Sequence, residues 1–356
     1  MKKLNIMFFG IILLCLVLFI ISFELEKDSS SGKSDKVVNI FNWGDYIDPK
    51  LITKFEKQTG YKVSYETFDS NEAMYTKIKQ GGTAYDIAIP SDYTIKKMIN
   101  NHLLLPINHS KLKGLSNIDS KFLNLSFDPG NKYSLPYFWG TLGIIYNKKY
   151  VSANEVKKWN DLWNPKFKNS IMLIDGAREV MGLTLNSQGK SVNDTDPKDL
   201  QAAYEKLKKL SPNVKAILAD EIKVYMAQDE APIAVSYSGE AMEMMDNNKN
   251  LRYTIPEEGS NIWFDNMVIP KTAKNVKGAY AFLNFMLEPK NAAQNAEYVA
   301  YATPNKAAKK LLPKSMQTDK VMYPTSKIIS HLEVYNALSQ KNLSKYNDLF
   351  LQFKMH

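Results

Sequence analysis

The sequence predicts an α/β protein of more than one domain, on three observations. The chain has 356 residues, more than one compact core normally organises. From Val37 onward, short apolar runs alternate with amphipathic runs of helical period, the pattern of a parallel, doubly wound sheet. The composition is globular, 44% hydrophobic and 23% charged, with no internal repeat and no low-complexity segment beyond the serine-rich stretch around Ser29-Ser30-Ser31.

Val37-Val38-Asn39-Ile40-Phe41 reads as a buried strand that delivers Asn42 to Tyr46 at its C-terminal end. Asp48 and Pro49 supply the N-cap and first residue of a helix with Leu51, Ile52 and Phe55 on its apolar face, and Gly60 suits the C′ position. Tyr61, Val63 and Tyr65 alternate as a second strand. A helix from Ser70, with Met74 and Ile78 inward, stops at Gly81-Gly82. Tyr85 to Ile89 forms a third strand, followed by Pro90-Ser91-Asp92-Tyr93, and in such sheets ligands meet the loops that follow strands. Asp196-Pro197 opens a helix carrying Leu200, Ala203, Tyr204, Leu207 and Leu210 on one face. Ala231 to Tyr237 reads as a buried strand ending at Ser238-Gly239-Glu240. Asn266 to Pro270 is short and apolar, and a helix from Gly278 to Leu287 stops before Pro289.

The net charge is +9, but the lysines are spread along expected helices as solvated faces and leave no footprint for nucleic acid. The single cysteine, Cys15, lies inside an apolar run, so the folded part has no disulfide, thiol nucleophile or cysteine ligand. His102, His109, His331 and His356 are scattered without ligand spacing, and no metal or cofactor is expected. There is no phosphate-binding loop and no G-x-S-x-G elbow.

Lys2 and Lys3 precede an apolar stretch from Leu4 to Phe23, and Glu24, Glu26 and Asp28 follow it. That asymmetry predicts an exported body, and the stretch is long enough to span a bilayer. No small-x-small cleavage signal closes it, so residues 1–36 fit either a signal peptide or an uncleaved inner-membrane anchor, with a serine-rich tether. Cys15 is flanked by Leu14 and Leu16 rather than following small residues, and it reads as filler of the apolar helix.

Two runs point to function. Asn42-Trp43-Gly44-Asp45-Tyr46 and Ile262-Trp263-Phe264-Asp265 each set a carboxylate two residues from a tryptophan, at the edge of a strand-like stretch. An aromatic face holds a cation or a methylene chain, and a carboxylate holds an ammonium group. Such pairs suit a flexible organic cation.

These runs take their place in a longer series. Asn42-Trp43 with Tyr46 is followed by Ser70-Asn71-Glu72-Ala73-Met74-Tyr75, Ala84-Tyr85-Asp86, Pro90-Ser91-Asp92-Tyr93, Ser134-Leu135-Pro136-Tyr137 and Trp139-Gly140. Trp159-Asn160-Asp161-Leu162-Trp163, Ala177-Arg178-Glu179-Val180, Trp263-Phe264-Asp265 and Thr303-Pro304-Asn305 complete it. In this order, from about Val38 to Tyr335, the chain resembles the substrate-binding proteins of bacterial spermidine/putrescine ABC transporters.

The resemblance implies a two-lobed periplasmic binding protein fold of type II, each lobe a mostly parallel sheet flanked by helices, with ligand in the cleft between them. Lobe one would comprise residues 37–140 and 263–310, and lobe two residues 141–262 and 311–356. It also implies a site. Trp43 and Tyr46 match an aromatic pair, Ser91 and Tyr93 a polar and an aromatic contact, and Glu179 a carboxylate that takes an amine. Tyr237 stands where spermidine binders have tryptophan. Trp263 and Asp265 match a tryptophan wall and the principal amine-binding aspartate, Tyr301 an aromatic near the cleft, and Tyr335 a position where glutamine is expected.

Some positions depart from the pattern. Gly176 replaces an aspartate of spermidine binders, with Asp175 one residue earlier, whereas Asp45 and Glu240 fall where putrescine binders carry acidic contacts. The acidic groups are rearranged, which tilts preference toward putrescine. The implied partners are a polyamine and an ABC permease with a separate ATPase, and the implied location is extracytoplasmic. Each residue also has a plain structural use, such as a turn for Asp45, a pairing with Arg178 for Glu179, or a helix first turn for Glu240. A glycoside hydrolase also uses paired carboxylates in an aromatic cleft, although no known hydrolase motif surrounds Glu179, Glu240 or Asp265. A third alternative is an interaction protein on the same fold without a ligand.

Overall fold

A computed structural model describes residues 36–356. The apolar stretch 4–23, Cys15 and the serine-rich tether lie outside the described residues, and so does the choice between signal peptide and anchor. Among the described residues no helix is long and apolar enough to cross a membrane.

The chain opens as its local signals dictate. Strand β1 (Val37–Trp43) leads to helix α1 (Pro49–Thr59), where the Asp48 carboxylate accepts the Lys50 N–H and Gly60 ends the helix at φ 75°. Strand β2 (Lys62–Phe68) pairs parallel with β1 along its whole length. Helix α2 (Asn71–Gln80) is capped by Ser70, with Met74 and Ile78 buried. Strand β3 reduces to Ile87–Ala88, shorter than expected, although the Asp86 and Ile89 N–H groups still donate to carbonyls of β1. Helix α3 (Asp92–Asn100) follows the Pro90-Ser91 turn.

Two strands then organise the molecule. Strand β4 (Ser134–Asn147) is buried at every one of its 14 positions. Its first half pairs antiparallel with β9, and its second half pairs antiparallel with β7 and β8. Between them lie β5 (Ile171–Ile174), helices α4 (Ala177–Asn186) and α5 (Pro197–Lys208), β6 (Val214–Leu218), α6 (Glu221–Ala227), β7 (Ile233–Tyr237), α7 (Ser238–Asn247) and β8 (Leu251–Thr254). Strand β9 (Ser260–Val268) contains the expected apolar run from Asn266 but reaches back through Asp265 and Trp263. Those two residues therefore sit inside a strand, because β4 pairs with all of that segment. Helices α8 (Val276–Leu287) and α9 (Pro289–Val299), short helical turns, strand β10 (Leu332–Glu333) and helix α10 (Gln340–Lys354) complete the chain.

The α/β class is borne out, with parallel pairs on the flanks (β1 with β2 and β3, β5 with β6 and β7) and antiparallel pairs at the crossing. Apolar side chains segregate accordingly. One core joins Val38, Ile40, Phe55, Leu135, Trp139, Met267 and Phe282. Another joins Ile144, Trp159, Leu162, Val180, Leu200 and Val235 to Tyr346, Leu349, Phe350 and Phe353 of α10. Ile145 and Ala234, the next residues along β4 and β7, face the opposite way into a smaller cluster with Met172, Met226 and Met244. Leu312 and Met322 belong to the first core, with Ile329 and Leu332 packed against it. The apolar side chains of this 312–334 segment thus pack on the first core. They are too sparse and aperiodic to declare a partner.

Candidate functional site

The site lies where β1, the β3–α3 turn and β9 converge, facing α4 and α7 from the second body. Its centre is Asp265, on the middle of β9 and only 5% exposed. The carboxylate accepts the Tyr46 hydroxyl on Oδ2 and the Ser91 hydroxyl on Oδ1, both at 2.7 Å. Burial lifts its pKa to about 6, and the two hydroxyl bonds restrain the rise.

Each hydroxyl is itself held. Tyr46 follows a turn in which Asp45 takes φ 50°, and the Tyr46 carbonyl accepts the Tyr137 hydroxyl at 2.8 Å, backed by Asn295. Asn71 donates through Nδ2 to the Ser91 and Tyr93 hydroxyls at 3.0 Å each, while its Oδ1 accepts the Ser91 N–H. Asn71 is not among the expected site residues, although it lies in the Ser70-to-Tyr75 series.

Aromatic rings line the approach. Tyr46 meets Tyr301 edge-on at 5.6 Å, Tyr301 meets Trp263 at 5.0 Å, and Trp263 meets Tyr237 at 6.1 Å. Two glycines admit these rings. A Cβ on Gly140 would stand 2.5 Å from the Trp263 ring, and one on Gly239 would stand 2.2 Å from the Tyr301 ring. Trp43, half-buried at the end of β1, packs on Phe68 at 4.5 Å. The indole N–H groups of Trp43 and Trp263 and the Tyr335 hydroxyl are buried without a hydrogen-bond partner among the described residues.

The second body contributes further carboxylates. Glu179 is in the first turn of α4, whose N-cap, Gly176, offers no side chain. Its carboxylate folds back so closely that a Cβ on Gly176 would stand 2.2 Å from Oε2. Burial raises its pKa, against the pull of its own backbone N–H, Arg178 and Tyr237. The charge of Glu179 is felt by Tyr93, Tyr237 and Tyr335, which brings all three to its side of the site. Tyr93 and Tyr335 meet edge-on at 6.3 Å, and the Arg178 guanidinium lies 4.3 Å from the Tyr335 ring. Arg178 donates to the Asn336 carbonyl and to Asn193 Oδ1, not to Glu179. Glu240, in the first turn of α7, accepts the Ser236 hydroxyl at 2.6 Å, and burial raises its pKa as well. Its charge reaches Tyr301.

The structure thus draws together Tyr46, Ser91, Tyr93, Glu179, Tyr237, Glu240, Trp263, Asp265, Tyr301 and Tyr335. Trp43 joins through the turn it begins, and Asp45 stands at the rim, exposed, its charge felt by Tyr65. Among the described residues, none of Asp265, Glu179 and Glu240 forms a salt bridge with a lysine or arginine. Arg178 and Lys223 act on Glu179 and Glu240 only from beyond salt-bridge distance, so desolvating these carboxylates stays costly, and a cationic guest in contact offsets that cost. Among the described residues no cluster of histidine, cysteine and carboxylate side chains could hold a metal ion.

Residues 50–324 match the family model described as bacterial extracellular solute-binding protein. The chain belongs to this family. The binding protein therefore works outside the cytoplasm. It is 40% identical over 313 residues to the spermidine/putrescine-binding periplasmic protein of Salmonella typhimurium, covering 88% of this chain and 90% of that one. Among solved structures, it superposes with a TM-score of 0.86 and 61% identity on a Listeria monocytogenes chain assigned to a spermidine/putrescine ABC transporter, covering 90% of this chain and 99% of that one. The spermidine/putrescine ABC transporter substrate-binding protein of Streptococcus pneumoniae gives 0.82 and 60%, with the same coverage.

Proposed function

We propose that the binding protein captures a polyamine, putrescine or spermidine, outside the cytoplasm and delivers it to an ABC permease energised by a separate ATPase. The observation that carries this reading is the buried carboxylate of Asp265 with the half-buried Glu179 and Glu240, walled by aromatic rings and, among the described residues, without a salt bridge. The names of its relatives at 40% and 60% identity support the same ligand class.

In this reading Asp265 takes one ammonium group, Glu179 and Glu240 serve the other end, and Trp43, Tyr93, Tyr237, Trp263 and Tyr301 cover the methylenes. Tyr335 offers its unpartnered hydroxyl. The four methylenes of putrescine supply roughly 3 kcal/mol on burial, and micromolar binding needs about 8. Charge-assisted hydrogen bonds and cation–π contacts supply the remainder. The folded-back Glu179 over Gly176 leaves one carboxylate where two would crowd, which favours the shorter diamine.

The two cores are read as two lobes, hinged on β4 and β9, that shut on the ligand. Residues 4–23 are read as the segment that directs export and, if retained, tethers the protein to the inner membrane. No catalytic step is assigned.

Thermal shift with putrescine, spermidine, cadaverine and oligosaccharides tests the reading. A rise in melting temperature is expected with the polyamines alone. A response to sugars only, or to none of these, would overturn it.

A further inference from the structure

Asp92 is fully buried and stands between two residues already placed in the site, and each of its carboxylate oxygens accepts a backbone N–H. Its Oδ1 accepts the Tyr93 N–H at 2.6 Å, and its Oδ2 accepts the Phe264 N–H at 3.0 Å. Phe264 lies between Trp263 and Asp265 on β9.

This contact is the last of a series. The backbones of β3 and β9 pair antiparallel only at Ala88 and Val268. Beyond that the Asn266 N–H donates to the Pro90 carbonyl at 3.0 Å, and the Ser91 hydroxyl donates to Asp265 at 2.7 Å. Asp92 to Phe264 is the next rung. Residues 90, 91 and 92 thus meet 266, 265 and 264 in antiparallel order, after the chain has already turned into α3. A carboxylate oxygen replaces the backbone carbonyl that a continuing strand would have offered. Ser91 occupies the N-cap of α3 but makes no side-chain cap bond, because its hydroxyl is committed to Asp265. The other Asp92 oxygen serves the helix start in its stead.

We propose that Asp92 is a positioning residue for cation binding: by fixing the Phe264 N–H it sets the rotation of the Trp263–Asp265 segment and keeps the Asp265 carboxylate between Tyr46 and Ser91. Asp92 does not touch the ligand. This inference rests on the proposed role of Asp265. It separates Asp92 from an ordinary buried helix-start carboxylate, which would affect stability but would have no special coupling to Asp265.

Asp92→Asn, made in the full chain, keeps the volume but leaves one accepting oxygen for two N–H donors. Putrescine and spermidine affinity is measured by calorimetry for Asp92→Asn, Asp265→Asn and the double variant. The expected result is a loss of about tenfold for Asp92→Asn alone, shrinking to about twofold or less in the Asp265→Asn background, since the two act through one contact. An unchanged affinity for Asp92→Asn, or the same loss in both backgrounds, overturns the proposal while leaving the polyamine reading intact. An Asp265→Asn protein that binds as tightly as the native one overturns both. Should Asp92→Asn not fold, Asp92→Ser is read in the same cycle, because its hydroxyl serves the Tyr93 N–H but is too short for Phe264.

Discussion

The Tyr46 hydroxyl donates to Asp265 Oδ2 at 2.7 Å, although 219 residues separate the two in sequence. The bond ties the end of β1 to the middle of β9 and gives a buried carboxylate one of its two hydroxyl donors. Tyr46→Phe removes that donor with little change in volume. Polyamine affinity at neutral pH is expected to fall about tenfold, the scale of one hydrogen bond to a charged group, with the fold retained by circular dichroism. Calorimetry giving the native constant would contradict the role assigned to the pair.

The Asp265 carboxyl sets a pH dependence with a definite sign. Burial raises its pKa from 3.8 to about 6, so the ligand-free folded state holds this proton more tightly than the unfolded chain. Its contribution to stability is fully present below about pH 4 and is lost as pH rises through about 6, to the extent of about 3 kcal/mol. Asp92, Glu179 and Glu240 shift the same way. Urea unfolding between pH 4 and 7 should show a shallower dependence for Asp265→Asn than for the native protein. Matching slopes would mean that this group does not titrate there.

Ligand binding runs the other way. A polyamine stays protonated through this range and prefers the ionised carboxylate, so affinity should weaken below about pH 6, approaching tenfold per unit. Calorimetric titrations from pH 5 to 8 measure it. A flat profile would remove Asp265 from the binding equilibrium.

Gly239 marks a close approach that a methyl group cannot share, since its Cβ would stand 2.2 Å from the Tyr301 ring. Gly239→Ala favours the helix locally but displaces that ring from its edge-on contact with Trp263. Polyamine binding should weaken about tenfold while the unliganded melting temperature moves by only a few degrees. The opposite outcome, a large stability loss with native affinity, would make the ring a core element only.

Closure is the fifth expectation. Asp265 is carried by β9, and Glu179 by α4 in the second body, so one ligand held by both draws the bodies together. Small-angle scattering should give a smaller radius of gyration with saturating putrescine. Equal radii would argue for a rigid cleft.

Local chemistry made much of the first body legible. The Asp48 cap, Gly60 at φ 75° and the Ser70 cap are each decided within a few residues. Strand β4 was illegible because burial on both faces erases the alternation that announces a strand. The sequence pattern sets the Trp263–Asp265 run at a strand edge because its apolar continuation begins at Asn266, but pairing with β4 extends β9 through it. The series makes the site residues legible, and Asn71 and Arg178 stand in it, but it does not say what their side chains hold. Asn71 and Arg178 act through partners 20 and 158 residues away, distances over which no sequence period reports.

Helix α10 has a consequence for biogenesis. Tyr346, Leu349, Phe350 and Phe353 complete the core begun by Ile144 and Trp159 some two hundred residues earlier. A chain that reaches the extracytoplasmic side N-terminus first cannot seal that interior until helix α10 arrives. Truncation ahead of Gln340, which removes this helix, should leave the polypeptide open to proteases in the compartment where it is meant to work.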